Sequence, residues 1–283
     1  MIGTEKLELI IELALWSGCL ENERPLSLLI VAKPESGKSE LVLKYKDNIP
    51  NVWVLTDATA FGLLKILKED AFRAVRHIII PDLLSPLSRQ PATVHSFIAF
   101  MNNLIEEGVM EIQTGFMTFK ETGLNIGLIS TMTPSVLQDR RHGWSRIGFL
   151  SRMVPVSYKY SQQTAQKILV SITHQEYHKE KPKALTLPTE TAKVALPPRL
   201  AKKMLSFTRQ HAQAEAELNR VEMYEGLRML HEAEELYGFR YQKQLQVMLK
   251  SRALMKGREE VTQEDVDALG SLLNLIGTRE LEI

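Results

Sequence analysis

Short, continuous runs of apolar residues alternate with amphipathic stretches through the first half of the chain. The apolar runs are typical of strands buried on both faces, and they cover residues 26–32, 52–55, 78–80 and 126–130. Apolar residues at helical spacing predict helices over residues 7–15, 39–45, 61–74 and 94–107. The alternating, glycine-containing segment 109–125 predicts a hairpin. Strands that alternate with helices indicate an α/β fold, with a doubly wound, mostly parallel sheet and helices on both faces.

The pattern changes after about residue 158. Residues 161–174 have helical spacing, whereas residues 178–198 contain many Lys, Pro and Thr residues and have little periodicity. From Arg199 onward the pattern is almost purely helical, and Thr262 is followed three residues later by Asp265, as at a capped helix N-terminus. The sequence therefore predicts an α/β core over residues 1–158, a helix and connector over residues 159–198, and a small all-helical domain over residues 199–283.

The composition narrows the class of protein. The 283 residues are 44% hydrophobic and 24% charged with a formal net charge of +1, so no global charge indicates a nucleic-acid binder. The single cysteine, Cys19, excludes an internal disulfide framework and fits a reducing compartment. The first residues carry acids within their apolar run, unlike a signal peptide, and no stretch of about 18 apolar residues predicts a membrane span. We therefore expect a cytoplasmic protein with no membrane partner.

The sequence Ala-Lys-Pro-Glu-Ser-Gly-Lys-Ser at residues 32–39 follows a predicted buried strand and opens a predicted helix. It matches the P-loop pattern G-x-x-x-x-G-K-[ST], except that Ala32 replaces the first Gly. Such a loop turns its N–H groups toward phosphate oxygens, and Gly37 permits close approach of the backbone. We expect Lys38 to reach the β- and γ-phosphates and Ser39 to ligate Mg²⁺. The predicted cofactors are ATP and Mg²⁺, held by Pro34, Glu35, Ser36, Gly37, Lys38, Ser39 and Glu40.

A P-loop enzyme also needs an acid at the end of a neighbouring strand to hold Mg²⁺. Asp82 follows the apolar strand that ends near Pro81, and it is the predicted metal acid. The expected pair is Asp followed by Glu, but Leu83 follows Asp82; alternatively Pro81 and Asp82 occupy the two positions and Asp82 is the base. Either way one carboxylate is missing, which affects the expected rate of hydrolysis more than nucleotide binding. A turn or helix-cap role is the structural alternative for Asp82.

Four blocks of sequence occur in the order found in AAA+ ATPases. They are residues 33–39, the strand that ends at Asp82, residues 128–134 (Leu-Ile-Ser-Thr-Met-Thr-Pro) and residues 148–153 (Gly-Phe-Leu-Ser-Arg-Met). The last two blocks are most similar to those of the minichromosome maintenance helicases and their relatives. The resemblance covers roughly residues 26–275 and implies that residues 199–283 form the lid of an ATPase. The size of the chain fits a compact replication ATPase of a virus or mobile element.

The resemblance also implies roles for residues outside the P-loop. Thr133 would be sensor one, which orients the attacking water, with Thr131 as its rival. Arg152 would be an arginine finger that reaches the γ-phosphate held by a neighbouring subunit, which implies a ring or open spiral, most simply a hexamer. A basic residue early in the last long helix would be sensor two and contact the nucleotide, and Arg240 and Lys243 are the two candidates.

The predicted hairpin lies just before the sensor-one strand. In the helicases that the chain resembles, a hairpin at this place points into the ring channel, so Phe116, Phe119 and Lys120 are candidates for stacking on, and pairing with, a threaded strand. An ordinary hairpin with a buried aromatic face is the alternative, and the register leaves open whether Lys120 lies at the tip. The basic residues 140–142 are predicted to lie in a loop, where they contact phosphate or simply face solvent.

These features predict an oligomeric ATPase that couples ATP binding and hydrolysis to binding or translocation of single-stranded or forked DNA. Such a helicase-like motor would act in DNA replication, alone or with other replication proteins. The missing carboxylate leaves open a weakly hydrolysing, nucleotide-gated assembly module or a helicase loader. A third alternative is an AAA+ protein remodeller, because aromatic pore loops also thread proteins. Turnover stimulated by DNA favours the motor, and turnover stimulated by unfolded protein favours the remodeller. Nucleotide-dependent oligomerisation without DNA-stimulated turnover favours the assembly module.

Overall fold

A computed structural model describes most of the chain. The described residues are 2–46, 49, 51–67, 69, 74–114, 117–174, 182–224, 226–232, 235–278 and 281–282. The helices are α1 (Glu5–Ser17), α2 (Lys38–Leu43), α3 (Ala60–Ile66), α4 (Leu84–Leu87), α5 (Pro91–Asn102), α6 (Pro134–Arg146), α7 (Gln162–Thr173), α8 (Pro198–Ala201), α9 (Leu205–Asn219), α10 (Phe239–Met255) and α11 (Gln263–Gly270). The strands are β1 (Ser27–Val31), β2 (Val52–Val54), β3 (His77–Ile80), β4 (Val109–Thr114), β5 (Met117–Thr122), β6 (Gly127–Met132), β7 (Met153–Lys159), β8 (Val221–Tyr224), β9 (Leu227–Leu230) and β10 (Leu281–Glu282).

Five strands form a parallel sheet in the order β7-β1-β6-β3-β2, and the two-residue strand β10 adds to its β7 edge. All residues of β1, β3 and β6 are buried, as expected for strands covered on both faces. The predicted α/β fold with a parallel sheet is therefore confirmed. From β1 the chain passes to β2, β3 and β6 on one side of β1, and it then crosses to β7 on the other side. Ligands of such sheets bind outside the carboxyl ends of the strands at such a reversal of strand order.

The sheet separates two hydrophobic cores because successive side chains of a strand point to opposite faces. On one face Leu28 and Ile30 of β1 pack in a core with α1, α2, α10 and α11. On the other face Leu29 and Val31 pack in a core with α3, α5 and α6. The C-terminal helices thus share a core with the first helix of the chain, and α10 packs directly against α1.

The prediction that residues 199–283 are entirely helical is wrong. Strands β8 and β9 form an antiparallel hairpin, and β10 joins the main sheet. The strands of this hairpin have four residues each and bury little, so they give too short a period-two signal to distinguish them from helix in the sequence. The predicted cap of the last helix is confirmed, since Thr262 and Asp265 form a capping box at the start of α11.

Other elements differ from the sequence pattern mainly in extent. The helix predicted over residues 61–74 ends at Ile66, and that over residues 94–107 is α5 followed by a π-helical segment, Asn103–Glu107. The predicted hairpin is confirmed as β4 and β5. Residues 140–142 lie in α6, not in a loop. Among the residues described, no helix has the length and apolar character needed to cross a membrane.

Candidate functional site

The loop that joins β1 to α2 begins at Ala32, where the P-loop pattern has Gly. The N–H of Ala32 donates to the carbonyl of Met132 at 3.2 Å, so the residue extends the pairing of β1 with β6. Ala32 is fully buried and is not among the described residues with positive φ. A glycine is therefore not required at this position, and the departure from the pattern leaves the backbone path intact.

Two left-handed residues turn the rest of the loop. Glu35 has φ 62° and Gly37 has φ 74°, while Ser36 between them has negative φ. Alternation of left- and right-handed residues points successive N–H groups into a common concavity, which is the geometry of a backbone anion site. Glycine adopts this conformation at no steric cost, whereas Glu35 is strained there, as residues in ligand-binding loops often are.

Two tyrosines at the end of β7 hold this turn in place. The hydroxyls of Tyr158 and Tyr160 both donate to the carbonyl of Ser36, at 3.0 and 2.8 Å. Burial raises the pKa of each phenol, so both stay protonated and keep donating. The hydroxyl of Ser36 itself is buried without a hydrogen-bond partner among the described residues. Local sequence patterns do not reveal these tyrosines, because they lie about 120 residues from the loop along the chain.

Lys38 and Ser39 open α2 directly after the turn. The Lys38 ammonium donates to the carbonyl of Lys33 at 3.3 Å, across the mouth of the loop. Burial lowers the pKa of Lys38, and the negative charge of Asp82 opposes this shift, so the acid and the lysine are electrostatic neighbours. The Ser39 hydroxyl donates to the carbonyl of Pro81 at 3.2 Å. The predicted metal ligands Ser39 and Asp82 therefore lie next to each other.

The carbonyl of Pro81 joins the ends of β3 and β6 to the start of α2. It accepts from Ser39 and also from the Thr131 hydroxyl, at 2.6 Å, and the N–H of Leu83 donates to the carbonyl of Thr131 at 3.0 Å. Asp82 is exposed between these contacts, and its carboxylate accepts from the N–H of Leu84 at 2.9 Å. Asp82 thus has both the turn role and a position beside the loop, because only one of its carboxylate oxygens accepts from the turn.

The two sensor-one candidates have different environments. Thr131 is fully buried and its hydroxyl is committed to the Pro81 carbonyl. Thr133 lies at the N-cap of α6, partly exposed, with its hydroxyl 3.2 Å from that of Ser135. Residues 32–39 are called the phosphate loop after their predicted role. Since β6 lies between β1 and β3, its carboxyl end faces the gap between this loop and Asp82. Of the two hydroxyls, that of Thr133 is the one available to a ligand there.

Arg152 and Arg240 form a second polar cluster around Glu106. Arg152 donates to the carbonyl of Gly148 at 2.7 Å, and its Nε lies 3.8 Å from the Glu106 carboxylate. Arg240 lies 3.4 Å from the same carboxylate and donates to the Ser151 hydroxyl at 3.2 Å. Burial lowers the pKa of Arg152, as does the neighbouring charge of Arg240, while Glu106 opposes both effects.

This arginine cluster lies at the amino-terminal ends of the parallel strands, whereas the phosphate loop follows the carboxyl end of β1. Arg152 immediately precedes β7, whose first residue, Met153, pairs with Ser27 at the start of β1. The loop follows the other end of β1, about 16 Å away for a five-residue strand. Arg152 and Arg240 therefore do not contact the phosphate loop of their own chain. Lys243, the other sensor-two candidate, is exposed one turn further along α10.

The candidate nucleic-acid residues lie on the hairpin of β4 and β5. Thr114 pairs with Met117, so the connection is residues 115–116, and Phe116 lies outside the described residues. Phe119 pairs with Ile112; only its backbone is described. Lys120 pairs with Glu111 and is exposed, within the strand and not at the tip.

The basic residues of α6 have structural contacts. Arg141 is buried, forms an ion pair with Glu215 and donates to the Asn219 amide oxygen at 2.9 Å, which fixes α6 to α9. Arg140 donates to the carbonyl of Leu87 at 3.2 Å. Arg141 is thus unavailable to an external phosphate, contrary to the sequence interpretation.

Neither a scan against protein-family models nor a search of curated proteins finds a match for this chain.

Proposed function

We propose that this chain is an ATPase of the AAA+ type that binds Mg²⁺ and ATP at the phosphate loop and works as an oligomer on DNA. The observation that carries the proposal is the shared Pro81 carbonyl, which brings Ser39 at the start of α2 beside Asp82 at the end of β3. A Mg²⁺-bound triphosphate requires a hydroxyl and a carboxylate as metal ligands, and a lysine and a concave backbone to bind the phosphates. The hydroxyl of Ser36, which is buried and has no hydrogen-bond partner among the residues that the structure describes, adds a further donor in the same loop.

Each residue has a defined task in this proposal. Lys38 places positive charge against the phosphates, and partial burial lowers its pKa. Ser39 and Asp82 hold the metal ion, which would neutralise charge on the phosphates when bound. Thr133 offers a hydroxyl at the end of β6 to position the attacking water.

The second carboxylate of the usual acid pair has no place at position 83. Leu83 is fully buried, and its N–H is bonded to β6, so this side chain faces the core and not the phosphate loop. Asp82 must then serve alone at this strand end. This observation favours a second candidate function, a nucleotide-gated assembly module with little turnover, over a fast motor.

The amino-terminal ends of the strands, where Arg152 precedes β7, supply the candidate contact with a neighbouring subunit. Arg152 lies too far from its own loop to act there, so as a finger it acts on the nucleotide of another copy. The C-terminal helices, proposed as the lid, place Arg240 beside it. Arg240 would then respond to the same neighbouring nucleotide. Exposed Lys120 on the β4–β5 hairpin is the proposed DNA contact.

Two measurements test the nucleotide site. ATP binding and steady-state hydrolysis are measured with and without single-stranded DNA for the wild type, Lys38→Ala and Lys33→Ala. Lys33 is an exposed lysine of the same loop whose side chain faces solvent, so it is the matched control. We expect Lys38→Ala to abolish binding while Lys33→Ala retains it. DNA-stimulated hydrolysis supports the motor; binding without turnover supports the assembly module; absence of binding refutes both.

A mixing experiment tests the subunit arrangement. Lys38→Ala and Arg152→Ala are each expected to lack hydrolysis. If Arg152 acts on a neighbour, mixed oligomers contain some sites with both residues intact, and partial activity returns. Failure of every mixing ratio to restore activity, in a mixture shown to co-assemble, contradicts the finger role.

A further inference from the structure

Three potential metal ligands meet where the hairpin of β8 and β9 packs against α6. His142 lies in the second half of α6, Glu222 lies in β8, and His231 directly follows β9. One ligand atom from each side chain lies within 4.8 Å of the other two. Within the described part of the chain, this is the one group of three or more His, Cys, Asp or Glu side chains with such an arrangement.

The hairpin register explains why the ligands meet. The N–H of His231 donates to the carbonyl of Arg220 at 2.7 Å, which extends the ladder by one step beyond β9. Glu222 pairs with Met229, so Glu222 and His231 are diagonal neighbours on one face. His231 Nε2 lies 2.9 Å from the Glu222 carboxylate. The ring of His142 stacks on that of His231 with centroids 3.9 Å apart, which brings the α6 ligand to the same point.

Hydrophobic burial does not account for the position of this hairpin. No residue of β8 is buried and all four residues of β9 are exposed, including Leu227 at 69% and Leu230 at 67%. A two-stranded hairpin is marginal by itself in water. A metal ion bound between such an element and a helix stabilises the element, because the free energy of binding adds to that of folding. The polar contacts of His142, Glu222 and His231 are placed where such a link would be effective.

We propose that His142, Glu222 and His231 bind a divalent transition-metal ion of the Zn²⁺ class, which fastens the hairpin to α6. Two imidazoles and one carboxylate are a donor set that Zn²⁺ accepts, with a fourth position left for water. The side chains of His231 and Glu222 are 30% and 29% exposed, so an ion reaches them from solvent. The site shares no residue with the phosphate loop and does not rest on the proposed ATPase function.

Binding requires the ligand side chains to rearrange, because the His142 and His231 rings are stacked nearly parallel. Around a tetrahedral ion with bonds of about 2.0–2.1 Å, ligand atoms are roughly 3.3 Å apart. The longest separation within the group must therefore close by up to about 1.5 Å, whereas the Glu222–His231 pair, 2.9 Å apart, must open slightly. This movement requires the His142 and Glu222 side chains to rotate. The stacked rings separate in this step, and the Glu222–His231 contact is replaced by two bonds to the ion.

The test uses the full chain, freed of metal by a chelator and kept without nucleotide. Calorimetric titration with Zn²⁺ is expected to show one tight site, and Co²⁺ is expected to give the intense visible absorption of a tetrahedral site. His142→Ala and Glu222→Gln should each weaken Zn²⁺ binding by about 100-fold or more, since even outer contacts of a metal site alter affinity by about 10–100-fold. His95→Ala, which removes an exposed histidine of α5, is the matched control and should bind like wild type.

A second readout separates a clamp from adventitious binding. Zn²⁺ is expected to slow amide hydrogen exchange in residues 221–231 of the wild type and of His95→Ala, but not of His142→Ala. The variants are compared first without metal by circular dichroism to establish that they fold. The proposal is overturned if Zn²⁺ does not bind stoichiometrically, if His142→Ala binds like wild type, or if binding leaves exchange in the hairpin unchanged.

Discussion

His77, the first residue of β3, gives the sharpest prediction about stability. Its side chain is completely buried, with Nε2 3.2 Å from the carbonyl of Leu26. Nε2 therefore carries the proton and donates, and Nδ1 has no hydrogen-bond partner within the described structure. The ring is enclosed tightly, because a Cβ added to Gly127 would lie 2.6 Å from it. Burial lowers the pKa of His77 from 6.5 to about 4, and the contact with Leu26 opposes part of this effect.

The sign of the pH effect follows from proton binding in the two states. Between pH 6.5 and about 4, the unfolded chain binds a proton at this histidine and the folded chain does not. The free energy of unfolding therefore falls as the pH falls through this window, and the His77 contribution is fully present only above it. Because each pH unit is worth about 1.4 kcal/mol, the loss is about 3 kcal/mol when the window has been crossed.

The measurement is urea unfolding followed by circular dichroism, at steps from about pH 7 to about pH 4. His77→Gln retains a donor for the Leu26 carbonyl but does not titrate, so we expect its stability to fall by about 3 kcal/mol less than that of wild type over the same steps. Carboxylates that titrate in both proteins cancel in this comparison. His95→Gln, at an exposed site, should follow wild type. Parallel loss of stability in wild type and His77→Gln would refute the buried, neutral histidine.

Three further outcomes are expected. Tyr160→Phe should raise the nucleotide Kd by about fivefold and the double variant with Tyr158→Phe by more, because each hydroxyl bond to the phosphate loop is worth about 1 kcal/mol; a fluorescent nucleotide titration measures this, and unchanged affinity in the double variant contradicts an anchoring role. Ala32→Gly should lower the urea midpoint without improving nucleotide binding, since this position needs no positive φ; tighter binding would show otherwise. Arg258→Ala should lower the free energy of unfolding by about 3 kcal/mol, because it removes a bidentate partner from the fully buried Asp265 carboxylate; a loss below about 1 kcal/mol would mean that the carboxylate is compensated by other groups.

The loop between β1 and α2, where the sequence predicts phosphate binding, shows how local sequence can specify a backbone conformation. The strand, the turn and the helix occupy one continuous segment, residues 27–43. Each is set by near neighbours: a run of apolar residues for β1, a left-handed glycine at position 37 for the turn, and helix-forming residues after Lys38. The β4–β5 hairpin and the cap of α11 are local in the same sense, and both were predicted from the sequence.

Contacts between distant segments were decided by the tertiary structure. The sequence could place Asp82 at the end of an apolar run, but it could not show that the Pro81 carbonyl would join Ser39 and Thr131, because that depends on β6 inserting between β1 and β3. Buried strands have the same apolar pattern wherever they lie in a sheet, so the pattern does not encode strand order.

The positions of Tyr158 and Arg240, which the sequence pattern missed or misplaced, also depend on contacts between distant segments. Tyr158 lies near the end of β7, an apolar strand that could have lain anywhere in the sheet, and its bond to the carbonyl of Ser36 exists because β7 pairs with β1. Arg240 lies early in a helix, as the sensor-two prediction requires. However, α10 packs on α1 and begins beside Ser151, at the amino-terminal ends of the strands and away from the phosphate loop. By itself, then, the sequence determined the alternating α/β pattern and the turn between β1 and α2, which depend on interactions between near neighbours. The tertiary structure decided which side chains meet at that loop, at the arginine cluster and at His142, because those meetings depend on strand order and helix packing.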